Sequence, residues 1–446
     1  MTVTAPIPPR TRLLSPAYAA TTIGMFALCA SVAFEATAVT TVMPTVADRL
    51  DGVGLYALSF AAPLASGVVG MVASGAWSDR RGPVAPLTVA LALFAFGLVV
   101  CGTAPSMEVL VAGRVLQGLG GGALTVGLYV VVGLVFPATL QPAVFASFAA
   151  AWVLPSLFGP ALAAYVAHAL GWRWVFLGAV VLVVAAAALV APALRHLAPP
   201  TGGAPAPRGR MAWAVVAAAA VLALGSVPLA VVVVLLALSR LVPAGTLTGR
   251  RGLPAVIGTR GLMSAAFFCS EAYIVFVLQE RWGLSPGTAG LALTAVGVTW
   301  ATASQVQSRL GERVSDVAAM RWGSALLLLG TAGFALAVWS HPVWPLVMAS
   351  YVVSGAGMGF GYPRTSVAML AASDDADRGF NSSALSIADS LGAALALAVA
   401  GVVFAAAERA DADPFVAVTV LATVVAALGL LVAARTERPG GYRTTS

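Results

Sequence analysis

Three carboxylic acids and one arginine lie inside long apolar stretches of the chain, where a charged side chain is unusual. Glu35, Glu271 and Asp389 are flanked by apolar or small residues, and Arg114 lies near the start of another apolar stretch. An ionised side chain at the centre of a bilayer costs ~2.5–3.5 kcal/mol on insertion scales, so such residues usually face a cavity or a partner. The pattern predicts acids that exchange protons inside a membrane, with an arginine that can pair with one of them.

Glu35 is the acid that we expect to carry the proton. It is the only acid before residue 196 that lies deep in an apolar stretch, and Arg114 is its candidate partner. An acid that alternates between a protonated and a paired state can couple proton flux to substrate binding. The alternative is a structural acid locked to Arg114. Glu271 is the next candidate carrier, and Asp389 can instead hydrogen-bond to an adjacent helix.

The composition is that of a polytopic membrane protein. Of the 446 residues, 60% are apolar and 9% are charged, whereas soluble domains have about 25% charged residues. A spanning helix needs about 20 apolar residues, and twelve continuously apolar stretches approach or exceed that length, which favours helices over alternating barrel strands. They cover residues 17–46, 54–77, 84–104, 107–136, 141–168, 173–194, 262–279, 287–307, 319–339, 343–366, 382–406 and 414–434.

The charges between these stretches predict the topology. The 24 basic residues are all arginine, and the net charge is +7. Arginine accumulates on the cytoplasmic side of membranes, so the distribution predicts cytoplasmic termini in a bacterial inner membrane. Nucleic-acid binding would need clustered charge on a soluble face and is not expected. The even-numbered gaps carry Arg80, Arg81, Arg195, Arg208, Arg210, Arg309, Arg313 and Arg378, and the odd-numbered gaps carry Asp48, Asp51, Glu108, Glu280, Glu408, Asp411 and Asp413.

Enzyme chemistry and metal binding are not expected. Cys29, Cys101 and Cys269 lie within apolar stretches and lack the spacing of a metal site or disulfide framework. The three histidines lie at the ends of stretches, and a chain without lysine cannot form the usual phosphate-binding loop. We therefore expect no cofactor, with a proton gradient as the energy source.

One further apolar stretch, residues 212–239, does not fit a single crossing. Arginines flank it on both sides, so one crossing would invert every later segment. Gly225-Ser226-Val227-Pro228 has the composition of a turn, which predicts a hairpin of two short helices on the cytoplasmic side. Each arm is about 20 Å long against a hydrocarbon core of about 30 Å. Either the bilayer thins there or the hairpin does not span it fully.

Repeated features predict two related halves. Glu35 and Glu271 are 236 residues apart, and a loop at residues 78–82 resembles residues 307–311, 229 positions later. Gly118, Gly120 and Gly122 recur 237 positions later as Gly355, Gly357 and Gly359. Two homologous six-helix halves are common in secondary transporters. The predicted division is a cytoplasmic segment 1–16, an N-terminal half 17–196, a cytoplasmic linker with the hairpin 197–261, a C-terminal half 262–435 and a cytoplasmic tail 436–446.

Four motifs resemble those of the major facilitator superfamily. Residues 75–82 look like its loop signature between helices two and three, and residues 114–120 resemble its fourth-helix motif. Residues 157–160 are similar to the core of its antiporter motif, and residues 35–44 look like the first-helix motif of the drug:proton antiporter branch. The resemblance implies an all-α membrane fold of two six-helix halves. The hairpin resembles the two additional helices of fourteen-helix members.

The resemblance also implies roles for individual residues. Asp79, Arg80 and Gly82 would form a gate contact that stabilises the outward-open state, whereas a simple topogenic turn is the alternative. Gly159 and Pro160 would shape the fifth helix for antiport, since proline breaks helical hydrogen bonds. Arg114 would lie inside the bundle near Glu35, whereas snorkelling to the interface is the alternative. With the other two acids that lie in apolar stretches, the predicted proton-coupling set is Glu35, Arg114, Glu271 and Asp389.

The function expected from these features is proton-coupled export of amphipathic organic compounds by a monomer in a lipid bilayer. Trp152, Phe268, Tyr273 and Trp300, with Phe267 nearby, are candidates for the substrate cavity, although aromatic residues also pack against lipid or protein. Two alternatives are a proton-coupled importer of a small metabolite and a non-transporting receptor on the same fold. The receptor would be favoured if neutralising the buried acids changed nothing measurable.

Overall fold

The structure, a computed structural model, is helical throughout its regular elements. It describes residues 13–16, 18–137, 140–194, 208–341, 343–374 and 377–437. Two short 3-10 turns lie at Val53–Leu55 and Gly311–Arg313. The helices in these ranges are α1 (Ala19–Arg49), α2 (Tyr56–Arg81), α3 (Val84–Gly102), α4 (Met107–Val135), α5 (Gln141–Ala169), α6 (Arg173–Leu194), α7 (Arg208–Ala223), α8 (Ala230–Leu241), α9 (Leu253–Trp282), α10 (Pro286–Leu310), α11 (Asp316–Ser340), α12 (Trp344–Ala372), α13 (Arg378–Arg409) and α14 (Pro414–Ala433).

Each of the twelve predicted apolar stretches coincides with a long helix, α1–α6 in the first half and α9–α14 in the second. Ten of the described helices are long and apolar enough to cross a membrane. α10 and α12 have sufficient length for a crossing, at 25 and 29 residues, but are less apolar than these ten. The all-α polytopic fold with two six-helix halves is confirmed. Most of the predicted N-terminal segment and tail, and residues 197–207 of the linker, lie outside the described residues.

The predicted hairpin is formed by α7 and α8. α7 ends at Ala223 and α8 begins at Ala230, on either side of the predicted turn. α7 packs against α2 and α13, and α8 packs against α13. Arg210 donates a hydrogen bond to Ser383 Oγ at 3.0 Å, and its guanidinium lies over the ring of Phe380. The hairpin therefore contacts both halves at the arginine-rich end of the bundle.

The predicted start of the second half requires a correction. The sequence placed this boundary after residue 261, whereas α9 begins at Leu253. Arg260 therefore lies inside a helix, where it forms an ion pair with Asp389 of α13 at 2.9 Å. A buried partner lets an arginine remain within the bundle. The predicted boundary, taken from the start of the apolar stretch at residue 262, therefore lay too far along the chain.

The two halves have the same helix packing. α4 packs against α2 and α3, and α12 packs in the same way against α10 and α11. α1 packs against α5 and α6, and α9 packs against α13 and α14. The helices cross closely at the repeated glycines, where a Cβ would collide with the neighbouring helix. Gly118 and Gly122 face α2, Gly120 faces α3, Gly355 and Gly359 face α10, and Gly357 faces α11. The predicted internal repeat is therefore visible in three dimensions.

An aromatic cluster joins the halves at the acid-rich end of the bundle. The Tyr56 hydroxyl, at the start of α2, donates a hydrogen bond to the Ala272 carbonyl of α9. The Tyr56 ring packs against Tyr273 and Phe276, whose rings contact Phe404, and Phe415 packs against Phe276 and Phe404. All five rings are buried. We name Tyr56, Tyr273, Phe276, Phe404 and Phe415 the aromatic seal, because the contacts of Tyr56 with this cluster join the halves at this end.

Candidate functional site

Glu35 and Arg114 form a buried ion pair in the first half. Arg114 Nη1 contacts Glu35 Oε1 and also donates to Gln117 Oε1 at 3.1 Å. Its Nε donates to the Ser59 carbonyl at 2.9 Å. The two side chains keep only 8% and 6% of their surface exposed. The proposed partners are therefore brought together, and Arg114 lies inside the bundle rather than at the interface.

The close crossing of α2 and α4 positions this pair. Ser66 of α2 donates to the Val115 carbonyl at 2.9 Å, next to Arg114 in the chain. One turn further along α4, a Cβ at Gly118 would collide with the backbone of Pro63 and the side chain of Ser66. Small residues allow such contact between helix backbones in membranes. The Ser59 carbonyl reaches Arg114 because α2 lies this close to α4.

A second ion pair, between Arg260 of α9 and Asp389 of α13, lies in the second half. Arg260 Nε donates to Asp389 Oδ1 at 2.9 Å, and the Ser264 hydroxyl donates to the same oxygen. Tyr362 of α12 donates to the carboxylate at 2.9 Å, and its ring lies under the Arg260 guanidinium, 3.3 Å from the centroid. Asp389 thus hydrogen-bonds to two adjacent helices, α9 and α12. This agrees with the alternative that Asp389 bonds to a neighbouring helix.

Arg260 is the site residue that the sequence analysis missed. The signal that could have found it is Pro254, which lies in the first turn of α9. Proline is common at the first positions of a helix because its missing N–H group has no partner there in any case. Read as the start of a helix, Leu253-Pro254 would have placed Arg260 two turns inside it.

Glu271 has different surroundings from the other two acids. It is partly exposed on α9, and the hydroxyl of Tyr351 on α12 donates to its Oε2 at 3.4 Å. Among the described residues, Glu271 belongs to none of the ion pairs. A neutral phenol is therefore the one polar side chain that contacts it in this part of the chain.

Aromatic rings connect the surroundings of Glu271 with those of Asp389. Phe267 stacks on Tyr351 with ring centroids 5.8 Å apart and meets Trp300 edge-on at 5.1 Å. Trp300 in turn meets Tyr362 at 5.4 Å. Phe268 packs edge-on against Phe267, and Phe268 and Trp300 are partly exposed. These two partly exposed rings are the predicted cavity residues that the structure brings together.

The other two predicted cavity residues, Tyr273 and Trp152, have different degrees of burial. Tyr273 keeps only 2% of its surface exposed and belongs to the aromatic seal, so it does not line an open cavity with Phe268 and Trp300. Trp152 lies on α5 in the first half, with 49% of its surface exposed. Tyr273 is therefore not a cavity residue in this conformation, whereas a cavity role for Trp152 stays a prediction. An aromatic residue at helical spacing fits a packed seal as well as a cavity, so sequence alone did not separate the two.

The predicted gate loop is not engaged in this conformation. Asp79 is exposed in the last turn of α2 and, among the described residues, belongs to no ion pair. Arg80 is also exposed. Gly82 follows α2 with a φ of 78°, a conformation that glycine adopts without strain. The loop therefore has the predicted tight turn and an acid that is free to meet another partner.

The equivalent loop of the second half is fixed in place. Gly311 ends α10 with a positive φ of 51°, as Gly82 ends α2. Arg364 of α12 donates to Asp316 Oδ1 and to the Gly311 carbonyl, both at 2.8 Å. These contacts tie the second loop to the bundle.

Gly159 and Pro160 lie where α5 contacts both α1 and α10. A Cβ at Gly159 would approach Thr37 Oγ1 of α1 to 2.6 Å, and Pro160 lies against Gly290 of α10. α5 continues as one helix through both positions. This pair therefore belongs to a contact between the halves, near the end that the aromatic seal closes.

Comparison with known sequences gives the family. The sequence model of the Major Facilitator Superfamily matches residues 25–277 and 256–445. A probable multidrug-efflux transporter of Mycobacterium tuberculosis is 28% identical over 423 residues, which are 87% of this chain and 88% of that protein. Multidrug resistance protein 3 of Bacillus subtilis is 31% identical over 144 residues, which are 32% of this chain and 28% of that protein.

Solved structures share the fold. A POT family transporter in complex with 5-aminolevulinic acid has a TM-score of 0.70 at 14% identity, covering 94% of this chain and 96% of that one. The human organic anion transporter MFSD10 has a TM-score of 0.64 at 18% identity, covering 94% and 100%. The family match extends over both helix repeats and includes Glu35, Glu271 and Asp389. The chain belongs to the Major Facilitator Superfamily and is a multi-pass membrane transporter, not an enzyme.

Proposed function

We propose that this transporter exports amphipathic organic compounds, drugs among them, in exchange for protons. The observation that carries the proposal is the presence of Glu35, Glu271 and Asp389 inside a helix bundle whose relative over nearly its whole length is a probable multidrug-efflux transporter. Intramembrane acids commonly serve proton relays in transporters. The candidates for the proton-coupling group are these three acids, with Arg114 as the ion-pair partner of Glu35, and the proton gradient supplies the energy without a cofactor.

Alternating access follows from the arrangement of the halves. The arginine distribution favours cytoplasmic termini in a bacterial inner membrane, so the aromatic seal closes the outer end. The described conformation then faces inward. A substrate enters between the halves from the cytoplasm or the inner leaflet, and the halves rock about the central site until the seal opens. The protein needs lipid, substrate and protons for this cycle; we propose a monomer and no nucleic-acid partner.

The loop with Asp79, Arg80 and Gly82 is the proposed inner gate. In the inward-facing conformation Asp79 is exposed and has no ion-pair partner among the described residues. When the inner end closes, Asp79 can accept hydrogen bonds from the N-terminal amides of a helix in the other half. Such a contact would favour the outward-open state only. Gly159 and Pro160, at the contact of α5 with α10, are the proposed hinge on the opposite side.

The proposal is tested by transport into inverted membrane vesicles from cells that produce the protein. The panel contains ethidium, a rhodamine dye, a fluoroquinolone and small metabolites, each measured with and without an inwardly acidic pH gradient. We expect gradient-dependent uptake of one or more dyes or drugs, and none in vesicles without the protein. Gradient-driven uptake of a metabolite only in right-side-out vesicles would replace the proposal with an importer. No uptake in either orientation would favour a receptor.

A further inference from the structure

We infer that Glu271, and not Glu35, is the carboxyl that exchanges the transported proton, and that Tyr351 positions it. The inference rests on the proposed proton-driven export and assigns the steps of that cycle to individual residues. It starts from the internal repeat. Arg114 lies four residues before Gly118 in α4, and Tyr351 lies four residues before Gly355 in α12. Tyr351 therefore occupies in the second half the position that Arg114 occupies in the first.

The contacts confirm this correspondence. In the first half, the residue at this position contacts Glu35 of α1, and in the second half it contacts Glu271 of α9. The acid and its partner are thus retained in both halves, but the partner changes from a permanent cation to a neutral phenol. A carboxylate beside a buried arginine is stabilised as an ion and binds a proton only at the cost of leaving that arginine unpaired. Glu271 has no such cation to lose.

The groups that face Glu271 from the neighbouring helices also leave it without a counter-ion. α9 packs against α1, α10, α11, α12, α13 and α14. Glu35 of α1 is bound to Arg114, and Asp389 of α13 is bound to Arg260. α14 contains no titratable side chain. Arg364 of α12 is paired with Asp316 of α11. The other charges of these helices lie within two turns of a helix end, namely Asp48, Arg49, Glu280, Arg281, Arg309, Arg321, Arg378, Glu408 and Arg409.

Glu271 also lies next to the element that must move. The following residue, Ala272, accepts the hydrogen bond from Tyr56, and Tyr273 packs against the Tyr56 ring. Opening of the aromatic seal therefore brings outside water to the turn of α9 that carries Glu271. A proton from that water binds a Glu271 carboxylate oxygen to give the neutral acid. After the halves return to the inward-facing conformation, the same proton leaves to the cytoplasm as the next substrate binds.

Glu35 has a different part in this cycle. Its ion pair links α1 to α4, and Arg114 also holds the Ser59 carbonyl of α2. All of these helices belong to the first half, so the pair can stay intact while the halves rock. This outcome corresponds to the structural alternative for Glu35, and it moves the proton to the acid that the sequence ranked second.

The experiment measures ethidium uptake into inverted vesicles with and without the pH gradient; where ethidium is not carried, the panel member with the largest uptake replaces it. The ratio of the two rates reports coupling independently of the amount of folded protein. We expect Glu271→Gln to lower this ratio to one while retaining ethidium exchange between equal concentrations. The double variant Glu35→Gln with Arg114→Gln, which leaves no unpaired charge, should keep a ratio above one.

Tyr351→Phe tests the positioning role. It removes the hydroxyl that donates to Glu271 and keeps the ring that stacks on Phe267. We expect the pH profile of transport to move by about half a pH unit toward alkaline pH, because the deprotonated form loses a hydrogen bond. An unchanged profile would overturn this role.

The outcomes separate the two proposals. A wild-type protein without gradient-dependent uptake would overturn both the proposed function and this inference. A coupled wild type with a Glu271→Gln variant that is still coupled would overturn the inference alone. Loss of coupling in the double variant, with normal coupling in Glu271→Gln, would return the proton to Glu35.

Discussion

The two halves repeat one fold but treat their equivalent acids differently. In the first half, Arg114 pairs with Glu35 and also binds Gln117 and the Ser59 carbonyl. In the second half, Tyr351 occupies the equivalent position and gives Glu271 a single long hydrogen bond. The packing glycines around both positions are the same. Helix packing and ionic chemistry are thus separable: one half keeps a fixed charge pair, and the other keeps an acid that can become neutral.

The two loops at the arginine-rich end also differ, but here the second half has the ion pair and the first half has the unpaired acid. The second-half loop is tied to α12 through Arg364 and Asp316, whereas Asp79 of the first-half loop has no ion-pair partner among the described residues. Among the described residues, each half therefore has one acid held in an ion pair, Glu35 or Asp316, and one acid without an ion pair, Asp79 or Glu271. The acid without an ion pair in the second half, Glu271, lies near the aromatic seal, and the one in the first half, Asp79, lies at the arginine-rich end. These two are the groups whose partners can change when the halves rock.

The largest expected effect concerns the stability of the first-half ion pair. Arg114→Gln leaves Glu35 without a cation in a buried site, so we expect the free energy of unfolding to fall by about 3–5 kcal/mol. Thermal unfolding in detergent measures the loss. Adding Glu35→Gln should recover most of it, whereas Tyr351→Phe should cost less than about 1.5 kcal/mol. Equal losses for Arg114→Gln and Tyr351→Phe would contradict the contrast between the halves.

The next prediction tests the close helix packing at the repeated glycines, which both halves share. A Cβ at Gly122 would collide with the backbone of Gly67, whereas one at Gly121 would only touch the Phe94 ring at 3.6 Å. We expect Gly122→Ala to destabilise the protein by about 1–3 kcal/mol and Gly121→Ala to be nearly neutral.

The matching position in the second half is Gly359, which faces the Trp300 backbone. Gly359→Ala should destabilise the protein by an amount similar to Gly122→Ala in the same thermal assay. If Gly121→Ala were as costly as Gly122→Ala, close packing at the repeated glycines would not explain the crossings.

A smaller effect distinguishes the two loops. Asp316→Asn removes a partly exposed pair with Arg364, so we expect a stability loss of up to about 1 kcal/mol. Asp79→Asn should leave stability unchanged but reduce transport about tenfold, because a carboxylate at a helix N-terminus contributes up to ~2 kcal/mol to the state that it stabilises. Thermal unfolding and vesicle transport are measured side by side. Normal transport by Asp79→Asn would make the loop a simple topogenic turn.

The last prediction concerns the membrane topology, namely the side of the membrane on which each end of the hairpin lies. In a protein without Cys29, Cys101 and Cys269, single cysteines at Gly209 and Arg250 flank the hairpin at exposed positions. We expect both to react with an impermeant maleimide only from the cytoplasm. A cysteine at Gly54, exposed at the acid-rich end, is the control and should react only from outside. Labelling of Gly209→Cys and Arg250→Cys from opposite sides would exclude the hairpin as a re-entrant pair.

Most of the fold could be predicted from the sequence because apolar length and arginine placement are direct consequences of the bilayer. The hairpin turn at Gly225-Ser226-Val227-Pro228 was predicted in the same way. The Glu35–Arg114 pair was expected from the burial of the two charges together with the resemblance to the family. The start of α9 could not be predicted from charge, because Arg260 is neutralised by Asp389, a residue 129 positions away. Such a partner becomes visible only when the helices are packed.

The division of roles between the acids was also beyond the sequence. Glu35 and Glu271 look equivalent when each is read in its own apolar stretch. What separates them is the side chain opposite. The repeat aligns Tyr351 with Arg114 in the sequence, but only the packed helices show that each of the two contacts the acid of its own half. Tyr273 was misplaced for a related reason, since its partner Tyr56 belongs to the other half.

The most direct test of the central claim is proton release from the purified protein in weakly buffered detergent solution when ethidium, or the best transported panel member, is added. The account predicts release from the wild type, no release from Glu271→Gln, and release from the double variant Glu35→Gln with Arg114→Gln. Release that persists in Glu271→Gln and disappears in the double variant would contradict it.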